Sequence, residues 1–331
     1  MPHRPLPRAR VARPDLATLA TLAALVCAPA WSQEYPNKPI RVINPFAAGG
    51  NLDIVARAMV QRMGDNMKQP FVVENRVGAG GALGSQAAKA APADGYTIMV
   101  QSNTFLATPA VSKTAGYDPI KDFTCVSLFA MVPQILVVNP SVPVNSVNDL
   151  IALAKRDPGK LTYGSAGNGG VGHITAEMFA SQAGIKLTHV PYKGNAPALT
   201  DVVGGQITFM FDTLSTSIQY VKSGRLKGLG VTGDKPSPIF PNLRPIAESA
   251  LPGYEAVVYN VMVVPAATPA PIITRLFNEV SRAVNLPELK NNFIEQGVEL
   301  GGSASPAACN DFLKKESDKY QQIVRLANIK E

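Results

Sequence analysis

Histidine and cysteine are scarce in this chain, three of each in 331 residues, and the scarcity excludes several chemistries. His3 and Cys27 fall in a leader-like N-terminus, which leaves His173, His189, Cys125 and Cys309. Neither remaining histidine has a second His or Cys at metal-ligand spacing, so no metal is expected. Charge is sparse as well, at 17% of residues. No Lys/Arg run of the nucleic-acid type occurs, so no nucleic-acid partner is expected. The G-x-x-x-x-G-K-[ST] pattern of a phosphate loop is missing. The G-x-S-x-G elbow of serine hydrolases is missing too, since Tyr163-Gly-Ser-Ala-Gly167 places Ser165 one residue out of register. After the N-terminus no apolar run approaches the ~20 residues that span a bilayer.

What the N-terminus does contain is Arg4, Arg8, Arg10 and Arg13, followed by the apolar stretch Leu16–Cys27 and then Ala28-Pro29-Ala30. This is the pattern of a secretory signal peptide, residues 1–30, with cleavage after Ala30 or Ser32. Its removal takes away four Arg and one Asp and lowers the formal net charge from +7 to +4. The mature protein is expected in the periplasm. In that oxidising compartment Cys125 and Cys309 could pair or remain as two buried thiols; their spacing does not decide between these.

Five apolar, strand-like runs each stop at a loop rich in Gly, Ser or Asn that opens into a helical pattern. Ile40–Pro45 leads into Phe46-Ala-Ala-Gly-Gly-Asn-Leu-Asp53, and Phe71–Glu74 into Gly78-Ala-Gly-Gly-Ala-Leu-Gly84. Leu161–Tyr163 leads into the glycine loop 164–172, Thr188–Pro191 into Lys193-Gly-Asn-Ala196, and Ile207–Phe211 into Asp212-Thr-Leu-Ser215. Glycine at a helix N-terminus lets backbone N–H groups approach an anion, so the junctions together read as an anion-binding surface.

The alternation of strands and helices predicts an α/β fold with mostly parallel sheets. Helices are expected over 52–67, 82–90, 147–155, 173–183, 197–203, 215–223, 271–285 and 306–326. Met131–Asn139 and Ala256–Pro265 are long for single strands and read as two crossings between lobes. On that reading residues 34–135 and 260–331 form lobe 1, and residues 136–259 form lobe 2. Such a double crossover suits closure around a ligand. No internal repeat is found, and the Pro-rich segment 235–245 reads as a surface loop.

Gly167-Asn-Gly-Gly-Val-Gly172 fits G-x-G-x-x-G, but no Asp or Glu stands some 20 residues on, where a dinucleotide ribose would need it. No cofactor is therefore expected. His173 falls in a first helical turn, where it either lines the pocket or packs; His189 reads as structural. Asp53 reads as ordering the first helical turn. A periplasmic α/β hydrolase acting on a carboxylate ester or amide remains the alternative, with Ser165 or Ser215 paired to His173. A receptor presenting its ligand to a signalling partner needs no change in the cleft.

The motifs Tyr35–Asp53, Val72–Gly81 and Pro92–Thr97 resemble the Bug family (Bordetella uptake gene) of extracytoplasmic receptors for tripartite tricarboxylate transporters. So do Pro158–Gly167, Val190–Gly194, Ala198–Gln206 and Leu251–Tyr254. The resemblance covers essentially the whole mature chain. It implies a two-lobed periplasmic binding protein fold of type II, each lobe a mostly parallel sheet flanked by helices, joined by two crossover strands. It further implies a non-enzymatic, monomeric receptor that captures a small carboxylate between the lobes and delivers it to a permease of one large and one small membrane subunit. By matching position, the ligand would meet Phe46, Ala47, Ala48, Gly49, Gly50 and Asp53 in the first lobe. Ser102, Asn103 and Thr104 complete that wall, and Ser165, Ala166, Asn168, His173, Lys193, Gly194, Asn195 and Asp212 serve in the second. Ala48 replaces a proline usual in the family, and Asn44 stands where an aliphatic residue is common. Lys193 is the one cation in the set.

Overall fold

A computed structural model describes residues 35–192 and 194–326; the segment 1–30 expected to be a signal peptide and Lys193 lie outside the described residues. The body from Lys38 onward contains strands β1 (Ile40–Asn44), β2 (Phe71–Asn75), β3 (Thr97–Gln101), β4 (Phe123–Val138), β5 (Thr162–Ser165), β6 (Thr188–Pro191), β7 (Phe209–Thr213), β8 (Lys227–Val231), β9 (Val257–Pro265) and β10 (Glu299–Leu300). The helices are α1 (Asn51–Met67), α2 (Ala82–Lys89), α3 (Thr104–Val111), α4 (Val147–Arg156), α5 (Val171–Ala183), α6 (Asn195–Val203), α7 (Leu214–Lys222), α8 (Ile246–Ser249), α9 (Ala270–Val284), α10 (Pro287–Ile294) and α11 (Pro306–Leu326).

The strands lie in the order β2-β1-β3-β9-β4-β7-β5-β6, with β8 and β10 also pairing with β4. Pairs β1–β2, β1–β3, β5–β6 and β5–β7 are parallel, as helical crossovers require. The two long runs read as crossings are β4 and β9. The first half of β4 pairs antiparallel with β9 from Phe123 to Pro133. Its second half pairs with β7 and β8 from Gln134 onward. One continuous strand therefore belongs to two sheets.

The alternation of side chains along β4 explains how its second half serves two cores. Leu136 and Val138 pack with Leu150, Tyr163, Phe179 and Phe211 on one face. Ile135 and Val137 pack with Leu199, Val202 and Met210 on the other. A third cluster gathers Ile43, Met99, Phe105, Phe123 and Tyr259 against α11 through Leu313 and Tyr320. Each large apolar side chain buried in this way contributes about 1.5–3 kcal/mol. Cys125 on β4 and Cys309 on α11 are joined by a disulfide with Cα atoms 5.8 Å apart. This settles the pairing that spacing alone left open and pins α11 to the central strand.

Helix ends follow local chemistry. Ser146 caps α4 by accepting from the Asp149 N–H at 3.1 Å, and α5 stops at Gly184 in the left-handed region, φ 63°. Three helices, α3, α8 and α10, stand where no helix is predicted. Among the described residues no helix is long and apolar enough to cross a membrane.

Candidate ligand-binding site

The helices that follow β1, β2, β3, β5, β6 and β7 start without a side-chain cap, at Gly50, Gly81, Asn103, Gly170, Gly194 and Thr213. Capping by Ser146 on α4 shows what is missing there. First-turn N–H groups left uncapped at the carboxyl ends of strands are available to an anionic ligand, except at α3, where Phe105 N and Leu106 N already donate to Ser102 O and Asn103 O.

The first loop is held from beneath. Asn44 is fully buried and Asp53 is 3% exposed. The Asp53 carboxylate accepts from Asn44 Nδ2 (2.9 Å), Asn75 Nδ2 (2.9 Å), Gly49 N (3.0 Å) and Arg57 Nε (2.8 Å). Asn44 Oδ1 accepts from Phe46 N at 3.1 Å, and Asn75 Nδ2 donates to Phe46 O at 2.8 Å. Burial pushes the Asp53 carboxyl up, but hydrogen bonds from Arg57, Asn75 and Gly49 together with the Arg57 charge outweigh it and hold it well below the usual carboxylate range. Asp53 thus orders its own loop, as its position suggests. It does so with partners that the sequence does not show side by side. Ala47, Ala48, Gly49 and Gly50 are exposed on top of this clamp.

In the second half, the β5–β6 register sets Tyr163 opposite His189, and their rings stack at 4.8 Å. His173, in the first turn of α5, stacks on His189 at 3.9 Å and 10°. Its Nδ1 accepts from Gly169 N at 3.0 Å, tying the glycine loop to the helix. Burial pushes His173 down to about 4, with the neighbouring His189 adding to the shift, and burial pushes His189 down to about 4 as well. Both imidazoles are neutral at neutral pH. Ser165 Oγ lies 2.7 Å from His189 Nε2 and accepts from Gly167 N at 3.2 Å. Ser165 is fully buried, and the partner of its hydroxyl is His189 and not His173.

Asp212 lies under the starts of α6 and α7, accepting from Asn195 Nδ2 at 3.1 Å and from the Ser217 hydroxyl at 2.6 Å, with Thr216 as a further donor. Burial raises its carboxyl above the ordinary value despite these donors. Asn103 is equally committed: its Nδ2 donates to Val257 O (2.9 Å) and Tyr320 Oη (2.7 Å), and its Oδ1 accepts from Tyr259 N (2.8 Å). Ser102 Oγ shares a hydrogen bond with Thr104 Oγ1 at 3.3 Å.

A cavity of about 620 Å³ opens among these loops. Of the residues expected in the site, Phe46, Thr104, Ala166 and Asn168 line it; Ala47–Gly50, Asp53, Ser102, Asn103, Ser165, His173, Gly194, Asn195 and Asp212 stand off its wall. Sequence reasoning read the Gly78–Gly84 loop and the helix after it but left Ala79, Gly80, Ala82, Leu83 and Gln86 out of the expected site, and it missed α3 and the segment after it. The Gly78–Gly84 glycines were the available signal. Gly84 admits no side chain because a Cβ there would meet Pro45 Cα at 3.0 Å and Cβ at 2.7 Å, which seats α2 against the first loop. Across the cavity, Gly169 adopts φ +70°, and a Cβ on it would lie 3.2 Å from Val111 Cγ2. Two other concavities lie elsewhere. One of about 570 Å³ sits beside α1 at the amino end of β2, and one of about 450 Å³ lies between α3 and α11. Neither is at the carboxyl ends of the parallel strands, where ligands of α/β sheets bind.

Comparison with known proteins agrees with this geometry. TctC, described as the tripartite tricarboxylate transporter family receptor, matches residues 55–329. The chain belongs to this receptor family. It is similar to Rhodopseudomonas palustris Rpa4515, solved with adipate, at 34% identity and a TM-score of 0.79, covering 90% of this chain and 99% of that one. The periplasmic binding protein BugD is similar at 30% identity and a TM-score of 0.76, with 89% and 99% covered. MatC of R. palustris, solved with bound malate, is similar at 27% identity and a TM-score of 0.75, with 88% and 100% covered. The receptor therefore has the two-lobed periplasmic binding fold, and its family is one of solute-binding proteins.

Proposed function

We propose that this receptor captures a small carboxylate in the 620 Å³ cavity and delivers it to a membrane transporter of one large and one small subunit, without catalysis. In this reading the lobes are residues 34–135 with 260–331 and residues 136–259, meeting at β4 and β9, and residues 1–30 export the chain. The observation that carries the proposal is the convergence of uncapped helix N-termini around a cavity in which, among the described residues, no charged side chain takes part. Backbone N–H groups are then the donors a carboxylate would meet, and closure strengthens those bonds by excluding water. Adipate and malate in two relatives support this ligand class.

A thermal-shift screen of carboxylic acids on the mature protein tests the proposal. A ligand at 100 times its Kd adds about 2.7 kcal/mol of stability. Gly169→Val, which sets a branched side chain against Val111, should abolish the shift. No shift with any carboxylate would refute the proposal.

A further inference from the structure

The wall of the cavity carries information beyond its anion-friendly loops. Phe46, Ala79, Ala82, Leu83, Val111 and Ala115 give it a largely apolar lining. Several of its polar side chains are engaged within the protein. Thr108 Oγ1 donates to Gly80 O at 2.9 Å, Gln86 Nε2 donates to Ala115 O at 2.8 Å, and the Ser112 and Thr114 hydroxyls lie 2.9 Å apart. Leu83 is 52% exposed although large and apolar, so a ligand beside it would remove apolar surface from water. A compact, triply charged anion would surrender the hydration of three carboxylates here and meet no lining cation among the described residues, a cost that pairing alone offsets.

Building on the carboxylate reading, we infer that the ligand presents one carboxylate to the loop amides and an apolar body of four or more carbons to Leu83 and Val111. The site is matched to extended, carbon-rich carboxylates and not to compact tricarboxylates such as citrate.

Isothermal titration of the mature protein with two homologous series decides this: the monocarboxylates butyrate to octanoate and the dicarboxylates succinate to suberate, with citrate and octanamide as comparators. The expected result is affinity that rises about fourfold per added methylene in at least one series, the scale of burying one CH₂, and exceeds that for citrate. Leu83→Asn, an exposed change, should weaken the longest binding member at least fivefold and leave the shortest within twofold. Flat affinity in both series, tighter binding of citrate, or an unchanged slope in Leu83→Asn overturns the inference and leaves the carboxylate reading standing. Octanamide binding as tightly as octanoate overturns the carboxylate reading and spares the apolar contact. Failure of every probe to bind overturns both.

Discussion

The stacked imidazoles of His173 and His189 make stability depend on pH in a calculable way. Both titrate at about 4 in the fold against 6.5 for a free side chain. The unfolded chain takes up these protons first as pH falls, so the stability held above pH 6.5 is lost progressively down to about pH 4 and then levels off. Between pH 7.5 and pH 5 the buried His173 costs about 2 kcal/mol and the half-buried His189, partly screened by solvent, costs less, so the pair costs about 2–4 kcal/mol. Tyr163, which stacks on His189 and donates to Glu177 Oε1 at 2.5 Å, stays neutral through this window because burial raises its hydroxyl. The stability that Asp53 supplies, its carboxyl being held low, is present throughout this window and is lost only as pH falls below the ordinary carboxylate range. Asp212 opposes the trend, because its raised carboxyl takes its proton in the fold before it would in the unfolded chain; that contribution is common to wild type and variant. In the double variant His173→Asn/His189→Gln, an amide oxygen can still accept from Gly169 N and an amide can still reach Ser165 Oγ, while both titrations are removed. Urea unfolding followed by circular dichroism at pH 7.5 and 5.0 should show wild type losing about 2–4 kcal/mol and the variant losing under about 1 kcal/mol. Equal losses in the two proteins would refute the neutral stack.

Removing the acceptor of the first loop should be costly too. Asp53→Ala strands Asn44, Asn75, Arg57 and the Gly49 N–H at once, so unfolding should become about 2–4 kcal/mol easier and ligand affinity should fall with it. Loss below about 0.5 kcal/mol in urea titration would show that the clamp is dispensable. The Cys125–Cys309 bridge closes a span of 184 residues, for which the chain-entropy estimate is about 5 kcal/mol. Reductant should therefore lower the Tm of wild type and leave Cys125→Ser/Cys309→Ser unmoved, whereas two free thiols by mass spectrometry in the untreated protein would contradict the pairing.

Much of the fold was legible because local chemistry sets it. Apolar runs ending in loops rich in Gly, Ser or Asn placed β1, β2, β5, β6 and β7, and length marked Met131–Asn139 and Ala256–Pro265, which fall in β4 and β9, as unlike single strands. Helix α3 was missed because TFLATPAV is apolar all round and carries Pro109 inside it, so no 3.6-residue stripe stands out. With α3 went Thr108 and Val111 of the cavity wall.

The side-chain partnerships were illegible for a different reason. Arg57 lies one helical turn from Asp53 and could have been read from i,i+4 spacing. Asn75 could not, because it reaches Asp53 only through the parallel register that sets Asn44 opposite Asn75. A slip of one residue would bring Glu74 or Arg76 to that place and turn the neighbouring side chains to the wrong face. Glu74 would set a second carboxylate beside Asp53; Arg76 would replace a neutral amide with a full charge. The same dependence holds for Tyr163 opposite His189. Glycine and proline therefore announce where a loop is, but only strand register decides what stands beneath it, and in this receptor the Ala47–Gly50 loop is shaped from beneath by Asn44, Asp53 and Asn75.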